Sequence, residues 1–201
     1  MSFPILGLTG PSGAGKGVVA ARLHTVHGFA WIDTDAIYHE LISAPSACLD
    51  ELVAVFGKDI LTPEGVLHRP ALAAIVFHPD NQDKLELLNT ITHKHVLAVA
   101  DRQIAATKAA NAAGAVIDAP LLFESGADKT CTHTAAVLAD RELRASRIMA
   151  RDGLTYQAAQ KRLDAQKPDD FYTERADFVL ENSGDVNALL ALADALAKEL
   201  V

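Results

Sequence analysis

Cysteine is scarce in this 201-residue chain: Cys48 and Cys131 stand far apart, and neither has a histidine partner at metal-ligand spacing. That excludes a disulfide scaffold and points to two free thiols in a reducing compartment. Basic charge is short as well. Lys and Arg total 18 against 26 Asp and Glu, a formal net charge of −8, so the basic face that a phosphate backbone needs is missing and no nucleic-acid partner is expected. No apolar run reaches the roughly 18 residues of a membrane span, and the N-terminus lacks a basic stretch followed by an apolar one. The expectation is a cytoplasmic protein with no membrane partner. There is no internal repeat and no low-complexity linker. Of the 8 histidines, His93 and His95 are the tightest pair, and their i, i+2 spacing puts the rings on different helix faces.

What is present is a globular composition, 50% hydrophobic and 22% charged, long enough for one buried core with an inserted subdomain. Five short apolar runs without alternation read as strands buried on both faces of a parallel sheet: Ile5–Thr9, Phe29–Asp33, Ala115–Asp118, Ala135–Leu138 and Phe178–Leu180. Helical patterns lie between them, which predicts an α/β, doubly wound fold. The interval 36–114 is far longer than one crossover helix needs and predicts a mostly helical insertion. It holds a helical pattern over Cys48–Phe56, turns at Gly57–Asp59 and Thr62–Gly65, and a second pattern over Arg69–Phe77. A long helix follows, from about Asn81 to Ala113, started by Pro79-Asp80 and stopped by Gly114. The expected single domain has a core (1–35, 115–140, 168–201), this insertion and a lid (141–167).

The residues that carry chemistry begin directly behind the first strand. Gly10-Pro11-Ser12-Gly13-Ala14-Gly15-Lys16-Gly17 matches the phosphate-cradling pattern G-x-x-x-x-G-K, with helical spacing after it at Val18, Val19, Ala21 and Leu23. The glycines let backbone N–H groups turn inward around a polyphosphate, and the lysine reaches the β- and γ-phosphates. A glycine-rich turn alone would not explain Lys16, because a cation at a helix N-terminus opposes the macrodipole unless it meets an anion. The loop therefore predicts binding of a nucleoside triphosphate. Its last position, usually a Ser or Thr whose hydroxyl holds Mg²⁺, is Gly17.

Three carboxylates stand at or just beyond the ends of predicted strands. Asp33 and Asp35 follow the second run, and ligands of open parallel sheets sit beyond the carboxyl ends of the strands. Phosphoryl transfer to an alcohol needs a group that orients the hydroxyl proton. We expect that group to be Asp33, with Asp35 capping the following helix or supporting the ligand. Asp118 ends the third run, where phosphate-loop enzymes place a Mg²⁺ carboxylate; capping of the next turn is the alternative. Arg69 begins a helix before Pro70, an unfavourable place for a cation without an anion. His93, taken on its own, reads as a helix-surface residue. Between Asp140 and Lys167, basic residues outnumber acidic ones in an otherwise acidic chain. Arg144, Arg147 and Arg151 share one helix face, with Gly153 placed to stop that helix and Thr155 to cap the next. A basic lid over the triphosphate accounts for them better than a solvated face.

Taken in order, these motifs resemble the dephospho-coenzyme A kinases along nearly the whole chain. They comprise Gly7–Gly10, Ile32-Asp33-Thr34-Asp35, Phe56-Gly57, Gly65–Arg69, Val76-Phe77 and Ile91-Thr92-His93. The run Asp118–Glu124, Arg162–Gln166, Ala176-Asp177-Phe178 and Asn182-Ser183-Gly184 complete the set. The resemblance implies a P-loop kinase of the nucleoside-monophosphate-kinase type that uses ATP and Mg²⁺ to phosphorylate the ribose 3′-hydroxyl of dephospho-CoA; a monomer is expected separately. It also implies roles: Asp33, Lys16 and Arg147 in catalysis, Asn182 near adenine, and Asp35, Arg69, His93, Leu121 and Glu124 lining the acceptor site. Gly17 and Lys94, the latter standing where the family has proline, depart from the pattern. Two rival readings are a kinase for another small acceptor, a nucleotide or a sugar, and a non-catalytic ATP-binding regulator.

Overall fold

Residues 3–78 and 81–200 are described by a computed structural model. The five apolar runs form strands β1 (Ile5–Thr9), β2 (Phe29–Asp33), β3 (Gly114–Asp118), β4 (His133–Leu138) and β5 (Phe178–Glu181). They make one five-stranded parallel sheet in the order β2-β3-β1-β4-β5. β1 is central and pairs with β3 through Leu8 opposite Asp118, and with β4 through Thr9 opposite Ala136. The helices are α1 (Lys16–His27), α2 (Thr34–Ser43), α3 (Ala47–Phe56), α4 (Arg69–Val76), α5 (Gln82–Ala109), α6 (Leu122–Ser125), α7 (Arg141–Asp152), α8 (Tyr156–Asp164), α9 (Asp169–Thr173) and α10 (Val186–Leu200).

The chain divides into two compact units. The first, up to Ile32 and from Ile104 onward, buries Leu6, Leu8, Val116, Ala135 and Val137 of the sheet against Val19 and Leu23 of α1 and Leu189, Ala193 and Leu196 of α10. Each such leucine contributes about 1.5–3 kcal/mol by leaving water. At one edge of this packing Asp194 accepts from Arg22 Nε and Nη2 at 2.7 and 2.8 Å and pairs with His27 Nε2 at 2.7 Å. These partners hold the Asp194 carboxyl well below the usual carboxylate range. The hairpin of α7 and α8 has a core of its own in Ala145, Ile148, Ala159 and Leu163. Its ends are capped as the sequence predicts, by Gly153 in the left-handed conformation and by Thr155 accepting from the Ala158 amide.

The second unit, Asp33–Gln103, is helical and closes around Ile42, Leu49, Leu52, Ile60, Leu72, Val76 and Ile91. Ser46 caps α3 by accepting from the Leu49 amide at 3.0 Å. Glu51 of α3 is gripped by Lys94 Nζ and paired with His95 Nε2 at 2.7 Å, both on α5, and they lower its carboxyl pKa. Lys94 therefore leaves α5 an uninterrupted helix and anchors it to α3.

Two expectations change. The long helix ends at Ala109 rather than Ala113: Asn111 turns the chain at φ 55°, and Gly114 begins β3. Glycine is required at 114 because a Cβ there would lie 2.5 Å from the Phe29 ring and 2.8 Å from the Pro4 carbonyl oxygen. Pro79 and Asp80, read as the start of that helix, lie outside the described residues.

Candidate active site

The loop between β1 and α1 has the geometry of an anion cradle. Intrahelical bonding in α1 starts with the amides of Val18 and Val19, both donating to the Gly15 carbonyl. The Lys16 and Gly17 amides that precede them are first-turn donors, which a helix cannot satisfy internally. Lys16 Nζ folds back to donate to the Gly10 carbonyl at 2.8 Å. Gly15 sits at φ 112°, and a Cβ on it would lie 2.6 Å from Asn182 Nδ2, so no other residue fits.

The outer, carbonyl side of the loop is held by cations. Arg144 Nε donates to the Ser12 carbonyl at 3.2 Å, Arg147 Nη1 donates to Gly13 at 3.0 Å and Ala14 at 3.4 Å, and Arg151 Nη2 donates to Ser12 Oγ at 3.4 Å. The shared helix face predicted from their spacing is this one. Asn182, buried, donates through Nδ2 to the Ala14 carbonyl at 2.7 Å and accepts from Arg147 Nη2 at 3.3 Å. Residues brought together here come from β1, α1, α7 and the end of β5.

The metal question turns on the donor set. Gly17 is exposed, and a Cβ there would meet nothing within 4 Å, so its missing hydroxyl is not a packing necessity. Of the nearby hydroxyls, Thr9 Oγ1 donates to the Pro120 carbonyl at 3.3 Å, and Ser12 Oγ accepts from Arg151 Nη2 at 3.4 Å. Asp118 ends β3 in register with Leu8 of the strand that leads into the loop. One carboxylate fits Mg²⁺, which keeps most of its waters and takes its remaining ligands from substrate phosphates.

The other predicted residues are distributed as follows. Asp33 is the N-cap of α2, its Oδ1 accepting from the Ala36 amide at 2.9 Å. This corrects the expected division of labour: the cap is Asp33, while Asp35 lies exposed in the first turn. The reason is geometric, since the residue that leaves β2 with extended dihedrals is the one whose side chain can reach back to the helix. Arg69 starts α4, and its Nη2 donates to His39 Nδ1, so its partner is an imidazole rather than an anion. His93 is half-buried in α5. In the first unit, Leu121 is 48% exposed and Glu124 is exposed on α6.

The dephospho-CoA kinase family profile matches residues 4–188. The chain belongs to the dephospho-CoA kinase family. A dephospho-CoA kinase of Corynebacterium efficiens is 39% identical over 196 residues, spanning 98% of this chain and 96% of that one. Among solved structures, a dephospho-CoA kinase from Campylobacter jejuni superposes with a TM-score of 0.68 at 26% identity over 98% of both chains. The protein TT1252 from Thermus thermophilus reaches 0.82 at 31% identity over the full length of both.

Within this kinase fold, three contacts escape a reading of the sequence. Arg144 reads there as one more lid cation, yet it is buried beneath the loop. Gln166 receives that guanidinium at 2.6 Å. His39 carried no signal, because its role toward Arg69 arises from packing of α2 on the chain before α4. No helix among the described residues is long and apolar enough to cross a membrane.

Proposed function

We propose that this chain performs the reaction of its family: transfer of the γ-phosphoryl group of ATP to the ribose 3′-hydroxyl of dephospho-CoA, which yields coenzyme A. The observation that carries this reading is the family match over residues 4–188, because the loop identifies the donor and leaves the acceptor open.

The donor is bound by Gly10–Val18. The loop amides and Lys16 hold the β- and γ-phosphates, and Arg147 neutralises charge that develops on the transferred group. Asn182 lies toward the adenine end. Asp118 would hold Mg²⁺, which would supply charge neutralisation at the phosphates. To Asp33 we assign the orientation of the acceptor hydroxyl and the acceptance of its proton, and to Asp35, Arg69, His93, Leu121 and Glu124 a part in binding the acceptor. Little covalent chemistry is asked of the protein, so its contribution is positioning and electrostatics. The enzyme works as a cytoplasmic monomer.

The test is ADP release with dephospho-CoA, nucleosides, sugars and shikimate-like alcohols as acceptors, with and without Mg²⁺. A high kcat/KM for dephospho-CoA alone is the expected result. A higher value for another acceptor transfers the assignment to that one, and no Mg²⁺-dependent ADP with any of them favours a non-catalytic ATP-binding protein.

A further inference from the structure

Arg144 is the one charged side chain that the fold buries among the described residues, at 6% exposure. Replacing a buried ion by an apolar residue of similar volume is often neutral or stabilising, so packing alone does not call for an arginine here. Its three nitrogens take three different partners: Nε the Ser12 carbonyl at 3.2 Å, Nη2 the Gln166 side chain at 2.6 Å, and Nη1 the Asp169 carboxylate at 3.6 Å. They belong to the donor loop, the chain after α8, and the first turn of α9. Burial lowers the guanidinium pKa while Asp169 opposes that shift, and an arginine stays charged regardless.

The loop has no slack against this residue. Gly13 stands at φ 80°, and a Cβ there would lie 2.8 Å from the Arg144 carbonyl oxygen and 3.0 Å from its Cα. The apex of the loop thus packs directly on the α7 main chain. In a planar trans peptide the carbonyl oxygen and the following N–H point in opposite directions. Holding the Ser12 carbonyl outward therefore turns the Gly13 N–H inward.

We propose that Arg144 is a positioning residue for the donor site: it fixes the Ser12–Gly13 peptide so that the Gly13 N–H faces the phosphates, and braces that peptide against Gln166 and Asp169. Arg144 itself touches no phosphate; it acts through the loop. The inference rests on the reading that this loop binds ATP.

The experiment compares wild type, Arg144→Ala, Arg144→Lys and Arg144→Gln as full chains, with steady-state kinetics in both substrates and calorimetric titration of ADP. Arg144→Ala raises KM for ATP and Kd for ADP about tenfold, the scale of one lost hydrogen bond to a charged group, while KM for dephospho-CoA stays within about twofold. Arg144→Lys recovers part of the ADP affinity, since an ammonium can serve the Ser12 carbonyl but not all three partners at once. A general loosening of the fold would raise both KM values together, and that outcome overturns the proposal. So does an ADP affinity unchanged in Arg144→Ala. If the alanine variant does not fold, the lysine and glutamine variants decide by the same split. Wild type that fails to bind ADP refutes the loop reading itself, whereas wild-type binding with unaffected variants refutes only the role of Arg144.

Discussion

The side-chain amide of Asn182 donates to the Ala14 carbonyl at 2.7 Å, in a position where both residues are buried. The bond ties the end of β5 to the underside of the phosphate loop. Asn182→Ala removes the donor and leaves a carbonyl in a space water enters poorly. Loss of a buried partner costs about 1–3 kcal/mol, and at this chain length each kcal/mol shifts Tm by roughly 2–4 °C. Thermal unfolding monitored by circular dichroism should show that drop; an unchanged Tm would remove Asn182 from the scaffold of the loop.

On the proposed reading, Asp33 has two tasks that substitution can separate: the observed cap of α2 and the orientation of the acceptor hydroxyl. Asparagine caps helices about as well as aspartate, so Asp33→Asn keeps the bond to the Ala36 amide and loses only the charge. Asp33→Ala loses both, and α2 forfeits about 1 kcal/mol with its cap. Both variants should fall at least about a hundredfold in kcat, the scale of a lost acid–base group, but only the alanine variant should melt earlier. Near-normal turnover in Asp33→Asn would refute the role in proton acceptance.

At Gly17 the prediction is a gain. A serine meets no steric obstacle there, and serine is favoured over glycine within a helix by a few tenths of a kcal/mol. Gly17→Ser should fold at least as well as wild type and reach half-maximal rate at a lower Mg²⁺ concentration, because a hydroxyl enters the place where such loops hold the ion. An unchanged Mg²⁺ titration would mean that a water already fills that coordination position.

Acid should loosen the α7–α8 hairpin at one identifiable carboxylate. Asp152 accepts from Arg151 Nε at 2.7 Å and also pairs with Arg162 across the hairpin, and these hydrogen bonds pull its pKa down to about 2. A folded-state pKa below the unfolded value of about 3.9 means that stabilisation is complete above that value and is lost as pH falls through about 2. The difference in Tm between wild type and Asp152→Asn should therefore be constant above pH 5 and shrink toward zero on acidification. A difference that does not vary with pH would assign the effect to packing instead.

The sheet was legible because a parallel strand buried on both faces leaves an uninterrupted apolar run, and Leu6, Leu8, Val116 and Val137 are such residues. The loop was legible because its chemistry is local: glycines and a lysine at fixed offsets need no distant partner to be recognised. The strand order was not, since nothing in Ile5–Thr9 says that β3 and β4, far along the chain, will flank it. Which of Asp33 and Asp35 caps α2 is not legible, because two aspartates two residues apart look alike until the dihedrals of the strand exit are known. Helical spacing groups Arg144, Arg147 and Arg151 on one face, but the loop partners of Arg144 and Arg147 are main-chain carbonyls more than 130 positions away, and a carbonyl has no signature in sequence.

β1 is bonded on both sides, to β3 and to β4, and the donor loop is its direct continuation. To release the root of that loop, two ladders of main-chain hydrogen bonds would have to come apart together. Local opening of a native protein favours segments with fewer such ties, so the amides of Leu6–Thr9 should be among the last to exchange with deuterium. The phosphate grip is thus expected to sit on one of the slowest-breathing parts of the molecule.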